Sequence, residues 1–337
     1  MGEAKSAIII GGGIIGVTGA YARAREGGQV RLIDALPDVG LGATLGNGRQ
    51  LSYSRANALA SPALIKQIPR LVLGLDDAFR IRLKLDRHFV SWVMRFLGQC
   101  TASQNRRNTL AGLELAEESR RAMERLQEYH PIEFDHRKTG KFVLLRGERE
   151  VEGARSGVAA KQAEGVDQRL LTPEEAFAIE PALANASDPI DAAIFTASDE
   201  SGDCQAFAAN LMRTLGDNYG VRFDGGTAAT RLERRKGESV VTLANGEELS
   251  ADLAVVSSGY RSNALLGPLG LRLPIEPMKG YSFTAPLGNA APLASVTDAK
   301  RRIVFTHLGD RMLVAGIAEM GRVADSLGPA RLASMMD

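Results

Sequence analysis

The amino-acid sequence predicts an α/β fold with a second domain of α+β type, and three observations support this prediction. The chain has 337 residues, 45% of them hydrophobic, which is long enough for two domains with buried cores. Near the N-terminus, short apolar runs flank a helical pattern, as in parallel strands buried on both faces. From Val221 onward the apolar residues recur with a period of two, which is typical of antiparallel strands.

A β-α-β unit is predicted for the first 34 residues. Residues 7–10 form a short apolar run suited to a buried strand, and residues 14–26 carry apolar side chains at helical spacing. Residues 30–33 indicate a second strand, which ends at Asp34. This order is typical of a Rossmann-like domain.

The turn between the first strand and the helix carries the pattern G-x-G-x-x-G, at Gly11, Gly13 and Gly16. In this pattern the first glycine permits a tight turn, the second lets the backbone approach a pyrophosphate, and the third lets the helix pack on the strand. The N–H groups at the helix N-terminus then face the phosphates. Asp34 stands where an acid binds a ribose hydroxyl, which disfavours the 2′-phosphate of NADP. The pattern therefore predicts dinucleotide binding, with FAD and NAD both open.

The rest of the chain yields shorter predictions. An extended loop is expected over 41–62, and a capping box at Thr172 begins a short helix before Pro181. The other helices are expected at 88–97, 108–129 and 207–215, and the other strands at 137–146, 227–233, 239–243, 248–249, 253–256 and, as an antiparallel pair, 302–318. The β-meander at 227–249, followed by a buried strand that ends at Gly259, favours FAD over NAD.

Composition excludes several classes of protein. The 41 basic and 40 acidic residues leave a net charge of +1 and are interleaved, which argues against nucleic-acid binding. Cys100 and Cys204 are too few for a disulfide framework, and the four histidines show no metal-type spacing. No signal peptide and no apolar run long enough to span a bilayer is visible, so a cytoplasmic protein without a metal site is expected.

A family resemblance becomes specific when more of the chain is included. Residues 7–34 resemble the D-amino acid dehydrogenase branch of the FAD-dependent glycine/D-amino acid oxidase superfamily. Further matches, in the family's order, are ATLGNGRQLSYS (43–54), DHRKTGK (135–141), DESGDC (199–204), PMKGYS (277–282) and SVTD (295–298). The resemblance implies a Rossmann-like FAD-binding domain with a β-meander, at 1–85 and 151–265. It also implies a helical and substrate-domain segment at 86–150 and a mixed-sheet substrate domain at 266–337.

The resemblance also implies roles for individual residues. The glycine-rich turn and Thr44 would hold the FAD pyrophosphate, Asp34 the adenosine ribose, and Ala229 would face the adenine. Asn47, Gly48 and Gln50 would approach the flavin ring, Gly259 would close against the cofactor, and Tyr281 is the candidate for contact with the substrate. The implied cofactor-binding residues are Gly11, Gly13, Ile14, Ile15, Gly16, Asp34, Thr44, Asn47, Gly48, Gln50, Ala229 and Gly259.

Two features depart from the family's pattern. Arg49 replaces the second small residue of the family's Asn-Gly-Gly-Gln run. The family also ordinarily continues into a C-terminal segment with the arginine that anchors the substrate carboxylate, and the sequence stops at Asp337 before such a segment. The resemblance therefore leads us to expect a chain that lacks the family's C-terminal segment.

The activity implied by the resemblance is oxidation of a D-amino acid to a 2-oxo acid and ammonia. Hydride would pass from Cα to flavin N5, and the electrons would go on to a quinone or a similar acceptor. Two alternatives stay open: a related flavoprotein that oxidises glycine or a proline derivative, and a truncated homologue that binds FAD without catalysis. The apolar stretch 89–97, which holds the only tryptophan, is interpreted either as a core helix or as a peripheral contact with a membrane or quinone.

Overall fold

The computed structural model describes residues 5–54, 56–76, 78–163, 165–321, 332–333 and 335–336. The helices, numbered in chain order, are α1 (Ile14–Arg25), α2 (Pro62–Val72), α3 (Arg87–Gly98), α4 (Ala102–Tyr129), α5 (Glu148–Ala163), α6 (Pro173–Ile179), α7 (Cys204–Tyr219) and α8 (Ser262–Leu266). The strands are β1 (Ala7–Ile10), β2 (Val30–Ile33), β3 (Gln50–Leu51), β4 (Phe79–Arg82), β5 (Lys141–Leu145), β6 (Gln168–Leu171), β7 (Ala192–Thr196), β8 (Glu200–Ser201), β9 (Arg222–Asp224), β10 (Ala229–Arg235), β11 (Glu238–Leu243), β12 (Glu248–Ala251), β13 (Leu253–Val256), β14 (Met278–Pro286), β15 (Ser295–Asp298), β16 (Ile303–Leu308) and β17 (Arg311–Gly321).

The chain divides into two compact units, each made of three segments. Unit 1 comprises Met1–Leu45, His130–Phe134 and Asp203–Ile275, and unit 2 comprises Gly46–Tyr129, Asp135–Gly202 and Glu276–Asp337. The expected domain segments 1–85 and 151–265 both cross these boundaries. The physical reason is strand pairing, because β4 pairs with β17 and both β6 and β7 belong to the sheet that contains β5, so these strands lie in unit 2.

Unit 1 is built on a parallel sheet with the strand order β13-β1-β2-β9. The meander β10-β11-β12 forms a second, antiparallel sheet. Ile8, Ile10 and Ile33 of the parallel sheet share one hydrophobic core with Val241 and Leu243 of the meander. The Rossmann-like arrangement with a β-meander is therefore confirmed.

A mixed sheet dominates unit 2, with the order β14-β17-β16-β15-β5-β7-β6 and β4 added beside β17. The pairs β15–β5 and β17–β4 are parallel, whereas the other pairs in this sheet are antiparallel. Phe142 and Phe195 face each other across β5 and β7, with ring centroids 4.6 Å apart, and pack with Val296 in one core. Beside the sheet, β3 and β8 form a separate two-stranded ribbon.

Several elements differ from the sequence-based expectation. The strand expected at 137–146 begins at Lys141, because Arg137 instead forms an isolated bridge with Ser201. The helix expected at 108–129 begins earlier, at Ala102. The loop expected at 41–62 contains β3, whose two residues are too few to produce an alternating pattern. Among the described residues, no helix combines the length and the hydrophobicity that crossing a membrane requires.

Candidate functional site

The glycine-rich turn of unit 1 joins the end of β1 to the start of α1. Gly11 has a φ of +116°, and a Cβ placed there would lie 2.6 Å from the carbonyl oxygen of Ser257. A Cβ at Gly16 would lie 1.8 Å from the carbonyl oxygen of Gly11. Both distances are far below van der Waals contact, so the fold itself requires these two glycines.

Gly13 differs, because the protein leaves room for a side chain there. Its φ and ψ are −71° and 177°, a conformation open to any residue. A Cβ would meet only the Thr44 hydroxyl oxygen, at 3.4 Å. Folding therefore does not explain this glycine, and close approach of a pyrophosphate, the expected reason for it, stays a prediction. The neighbouring Ile15 is 70% exposed, as expected of a residue at a ligand-facing helix start.

The N-terminus of α1 is suited to bind phosphate. Its first turn carries no acidic residue that would compete with an anion. The buried Thr44 accepts a hydrogen bond from the Ile14 N–H at 3.0 Å, which fixes the loop after β2 against the helix start. The N–H groups of the first turn and the helix dipole favour a negative charge at this point.

Asp34 connects the glycine-rich turn, the end of β2 and the start of the meander. Its carboxylate accepts hydrogen bonds from the N–H groups of Gly12 and Leu36. Each carboxylate oxygen keeps a second lone pair, so a ribose hydroxyl can bind as well. The Thr227 N–H donates to the Asp34 carbonyl at 3.1 Å, which places Ala229, two residues farther along, near this end of the sheet.

Two serines that sequence reasoning passed over hold the turn from the other side. The Ser257 hydroxyl donates to the carbonyl oxygens of Ile10 and Gly11, both at 3.0 Å, and the Ser258 hydroxyl donates to Ile10 at 3.1 Å. Gly259 follows with a φ of +56°. The signal was present in the sequence as two hydroxyl residues directly after a buried strand, but their partners are more than 240 residues away in the chain.

The expected flavin-ring residues Asn47, Gly48 and Gln50 lie in unit 2, next to β15 and β16. The Asn47 side-chain oxygen accepts from the Arg49 N–H, and the buried Thr306 hydroxyl donates to the Gly48 carbonyl at 2.9 Å. The Gln50 amide nitrogen donates to the Ser295 hydroxyl at 2.6 Å. These hydrogen bonds fix the conformation of residues 47–50. The expected contact of these residues with the flavin ring stays a prediction.

The backbone conformation at Arg49 accounts for the small residue that the family's pattern has at this position. Its φ of +56° lies in the left-handed region, which favours glycine over residues with a side chain. The arginine is also only 6% exposed. Its guanidinium is thus a permanent positive charge held inside unit 2.

Polar residues of the family-like motifs meet around the ribbon β3–β8. The buried Lys141 donates to the Ser52 hydroxyl at 2.8 Å, and the Ser54 hydroxyl donates to the buried carboxylate of Asp199 at 2.9 Å. The sequence alone indicated no role for Ser52, Ser54, Lys141 and Asp199. These hydrogen bonds bring parts of the motifs 43–54, 135–141 and 199–204 together beside the ribbon β3–β8.

Glu200 of β8 receives a hydrogen bond from His136, whose Nε2 lies 2.7 Å from Oε2, and Lys138 lies 3.6 Å away. Burial raises the pKa of Glu200, but the hydrogen bond and charge of His136 and the charge of Lys138 outweigh burial and lower the pKa overall. Burial and the charges of Glu200, Glu124 and Asp199 also raise the pKa of the neighbouring Tyr53.

We expect Glu200 to make stability depend on pH below neutrality. Its pKa is lower in the folded state than the ordinary value of 4.5, so ionised Glu200 stabilises the fold above about that pH. The stabilisation is lost as the pH falls through the lower, folded value. Glu200→Gln should cost about 1.5–3 kcal/mol at pH 7, the range for a hydrogen bond to a charged group. Its urea midpoint should also fall less between pH 7 and pH 3.

The matched control is Glu118→Gln, which changes an exposed acid on α4. This control should retain both the stability and the pH dependence of the unchanged protein. A Glu200→Gln profile parallel to that of the unchanged protein would show that Glu200 does not carry the effect.

Tyr281, the expected substrate contact, is 3% exposed. It lies on β14 and packs with Ile303, Met312 and Val314 in a hydrophobic core, and Lys279 lies 5.2 Å from its ring centroid. This position favours a structural role for its ring. Contact with the substrate stays a prediction.

Comparisons with known proteins place these features in a family. A family model described as FAD dependent oxidoreductase matches residues 6–337. D-amino acid dehydrogenase 2 of Ralstonia nicotianae is 36% identical over 338 residues, covering 98% of this chain and 79% of that protein. D-amino acid dehydrogenase 2 of Pseudomonas aeruginosa is 37% identical over 333 residues, covering 98% and 78%.

Solved structures agree on the fold. Glycine oxidase from Geobacillus kaustophilus superposes with a TM-score of 0.74 at 17% identity, covering 98% of this chain and 76% of that one. L-proline dehydrogenase from P. horikoshii superposes with a TM-score of 0.62 at 20% identity, covering 98% and 75%. At these identities the likeness concerns the fold alone.

Proposed function

Because the chain belongs to the FAD dependent oxidoreductase family, we propose that it is an FAD-dependent dehydrogenase that oxidises D-amino acids to 2-oxo acids and ammonia. The observation that carries the proposal is the turn at Gly13. A Cβ at Gly13 would meet only the Thr44 hydroxyl oxygen, so the fold does not require glycine there, and the chain is 36% identical to a D-amino acid dehydrogenase. The alternatives of a glycine- or proline-oxidising enzyme and of a non-catalytic FAD-binding homologue are outcomes of the tests below.

Unit 1 contains the residues proposed for the ADP half of FAD. Gly13 and the N–H groups at the start of α1 would bind the pyrophosphate, and Thr44 would keep the loop after β2 in place. Asp34 would accept a hydrogen bond from a ribose hydroxyl with the lone pairs that Gly12 and Leu36 leave open. Ala229 would face the adenine, and Gly259 would close against the cofactor.

The residues proposed for the flavin half lie on the segment that leads into β3 and on the first residue of that strand. Asn47 and Gly48 would present amide groups to the ring, and Gln50 would do so with its carbonyl oxygen while its amide nitrogen stays bonded to Ser295. When bound, FAD would accept the hydride that leaves the substrate Cα, and water would then hydrolyse the resulting imine to the 2-oxo acid and ammonia. The chain's own residues would orient Cα and exclude water, and Tyr281 is the proposed substrate contact.

For the electron acceptor we propose a quinone, reached through a peripheral contact between the membrane and the helix that contains residues 89–97. The support is the apolar character of α3, on which Val90 and Met94 are exposed. Flotation of the purified protein with lipid vesicles tests the contact, and reduction of a short-chain quinone after addition of a D-amino acid tests the acceptor.

The substrate class is tested by an anaerobic panel that follows the loss of visible flavin absorbance. D-amino acids should bleach the flavin within the enzyme's turnover time. Glycine, N-methylglycine and L-proline should bleach it slowly or not at all. Preferential bleaching by L-proline or glycine would replace the proposed substrate class, and binding of FAD without bleaching by any amine would favour the non-catalytic homologue.

A further inference from the structure

The elements α2, β4 and α3 of unit 2 enclose a cavity of about 70 Å³. In the described part of the chain every side chain that lines it is hydrophobic, including Trp92 and Phe96, whose rings stack with centroids 5.0 Å apart. A cavity without hydrogen-bond partners does not hold ordered water, but it can bind a hydrocarbon. The enzyme chemistry proposed above makes no use of this cavity.

The cavity opens to solvent. Leu59 and Leu83 belong to its lining but are 52% and 60% exposed, so they mark its mouth. The chain next to them also carries exposed large hydrophobic residues, namely Leu73, Leu75, Leu85, Val90 and Met94. Apolar side chains concentrated in one segment of a surface mark an interaction site.

The charge of the same segment indicates what it binds. Residues 59–97 contain seven Lys and Arg residues and three Asp residues, a net charge of +4 in a chain whose total is +1. Two of these cations, Arg82 and Lys84, pair with Glu319 and Glu276 outside the segment, and an excess of positive charge remains. Lys66 and Arg70 of α2 and Arg87 and Arg95 of α3 are exposed. Basic side chains beside apolar ones bind a membrane surface that carries anionic lipid.

We propose that the cavity binds the end of an acyl chain of an anionic phospholipid, while the basic side chains of α2 and α3 contact the headgroups. This inference deepens the proposed membrane contact and rests on it. It assigns the lipid class, the entry point at Leu59 and Leu83, and the residues that distinguish anionic from neutral membranes.

Trp92 makes the proposal directly measurable, because it is the only tryptophan of the chain and it lines the cavity. The purified 337-residue protein is mixed with vesicles of phosphatidylglycerol brominated on the acyl chains, since bromine quenches indole fluorescence only at close range. Fluorescence should fall about twofold or more relative to unbrominated phosphatidylglycerol. Brominated phosphatidylcholine should have little effect. Equal quenching by both lipids would overturn the assignment to anionic lipid, and quenching by neither would overturn the site.

Variants separate the cavity from the charged surface. Leu83→Asp and Leu59→Asp, at exposed positions of the mouth, should abolish the quenching. Leu115→Asp, at a position that is 68% exposed on α4 and outside the lining, should retain it. The double variant Arg87→Glu/Arg95→Glu should weaken vesicle binding about tenfold or more. Unchanged quenching in both mouth variants would show that the lipid contacts Trp92 by another route and would overturn the proposal.

The same preparations distinguish this inference from the proposed function. Flavin bleaching by D-alanine in detergent-free buffer reports the enzyme activity without any lipid. Flavin bleaching without tryptophan quenching would overturn the lipid site and support the enzyme activity. Tryptophan quenching without flavin bleaching would overturn the enzyme activity and support the lipid site.

Discussion

Gly13→Val is expected to lower the affinity for FAD about tenfold or more while the fold stays intact. The backbone at Gly13 is in a conformation that valine adopts readily, and a Cβ there meets only the Thr44 hydroxyl oxygen at 3.4 Å. The protein therefore has room for the added Cβ, and the side chain would occupy the space proposed for the pyrophosphate. Overpacking of this kind costs about 1–3 kcal/mol, so FAD affinity should fall about tenfold or more.

The measurement is the ratio of flavin to protein in the purified variant, together with its thermal unfolding. Gly19→Val is the matched control, because it introduces the same side chain in α1 at a position where a Cβ meets nothing within 4 Å. Gly19→Val should retain FAD. Full retention of FAD by Gly13→Val would show that the pyrophosphate does not lie against this turn.

Asp298→Ala is expected to destabilise unit 2 strongly, by about 3–5 kcal/mol. The Asp298 carboxylate lies 2.7 Å from Nη1 of Arg146, and both side chains are almost fully buried. Removal of the carboxylate leaves a guanidinium that cannot lose its proton inside the protein. It also removes the hydrogen bond from the Arg301 N–H to the other carboxylate oxygen.

Chemical denaturation of three variants tests this expectation. Asp188→Ala breaks the half-exposed pair with Arg301 in the same unit and should cost about 1 kcal/mol or less. The double variant Arg146→Met/Asp298→Leu removes both charges and should recover most of the stability lost by Asp298→Ala. If Asp298→Ala unfolds at the same denaturant concentration as Asp188→Ala, loss of the Asp298 carboxylate does not leave a destabilising unpaired charge at Arg146.

The nucleotide-binding half of the site could be predicted from the sequence because its determinants are local. Gly11, Gly13 and Gly16 lie within six residues, and the acid that ends β2 follows at a fixed distance. The β-α-β unit of β1, α1 and β2 and the hydrophobic strand after the meander, β13, were predicted in the same way, whereas β9 was not predicted. Each of the predicted features has a signature in a short window of sequence.

Unit 2 could be predicted less completely, because its determinants are long-range. β4 is a four-residue strand that is fixed by pairing with β17, more than 230 residues later. The buried pairs Lys141–Ser52 and Asp199–Ser54 likewise join distant segments. Tyr281 shows the same limit, since the family-like motif 277–282 marked it as a candidate substrate contact but did not indicate that its ring would lie in a hydrophobic core.

Arg49 departs from the family's sequence pattern, and the structure gives the reason for that pattern. The family's pattern places a small residue at this position, and the φ of +56° gives the reason. The sequence alone shows only that a bulky cation replaces it.

The spectrum of the purified protein under anaerobic conditions, before and after addition of D-alanine, tests the central claim most directly. We predict visible absorbance of bound FAD that disappears on addition of D-alanine and persists on addition of L-alanine. A protein that takes up no FAD, or whose bound flavin stays oxidised with D-alanine and every other D-amino acid, would contradict the proposed activity.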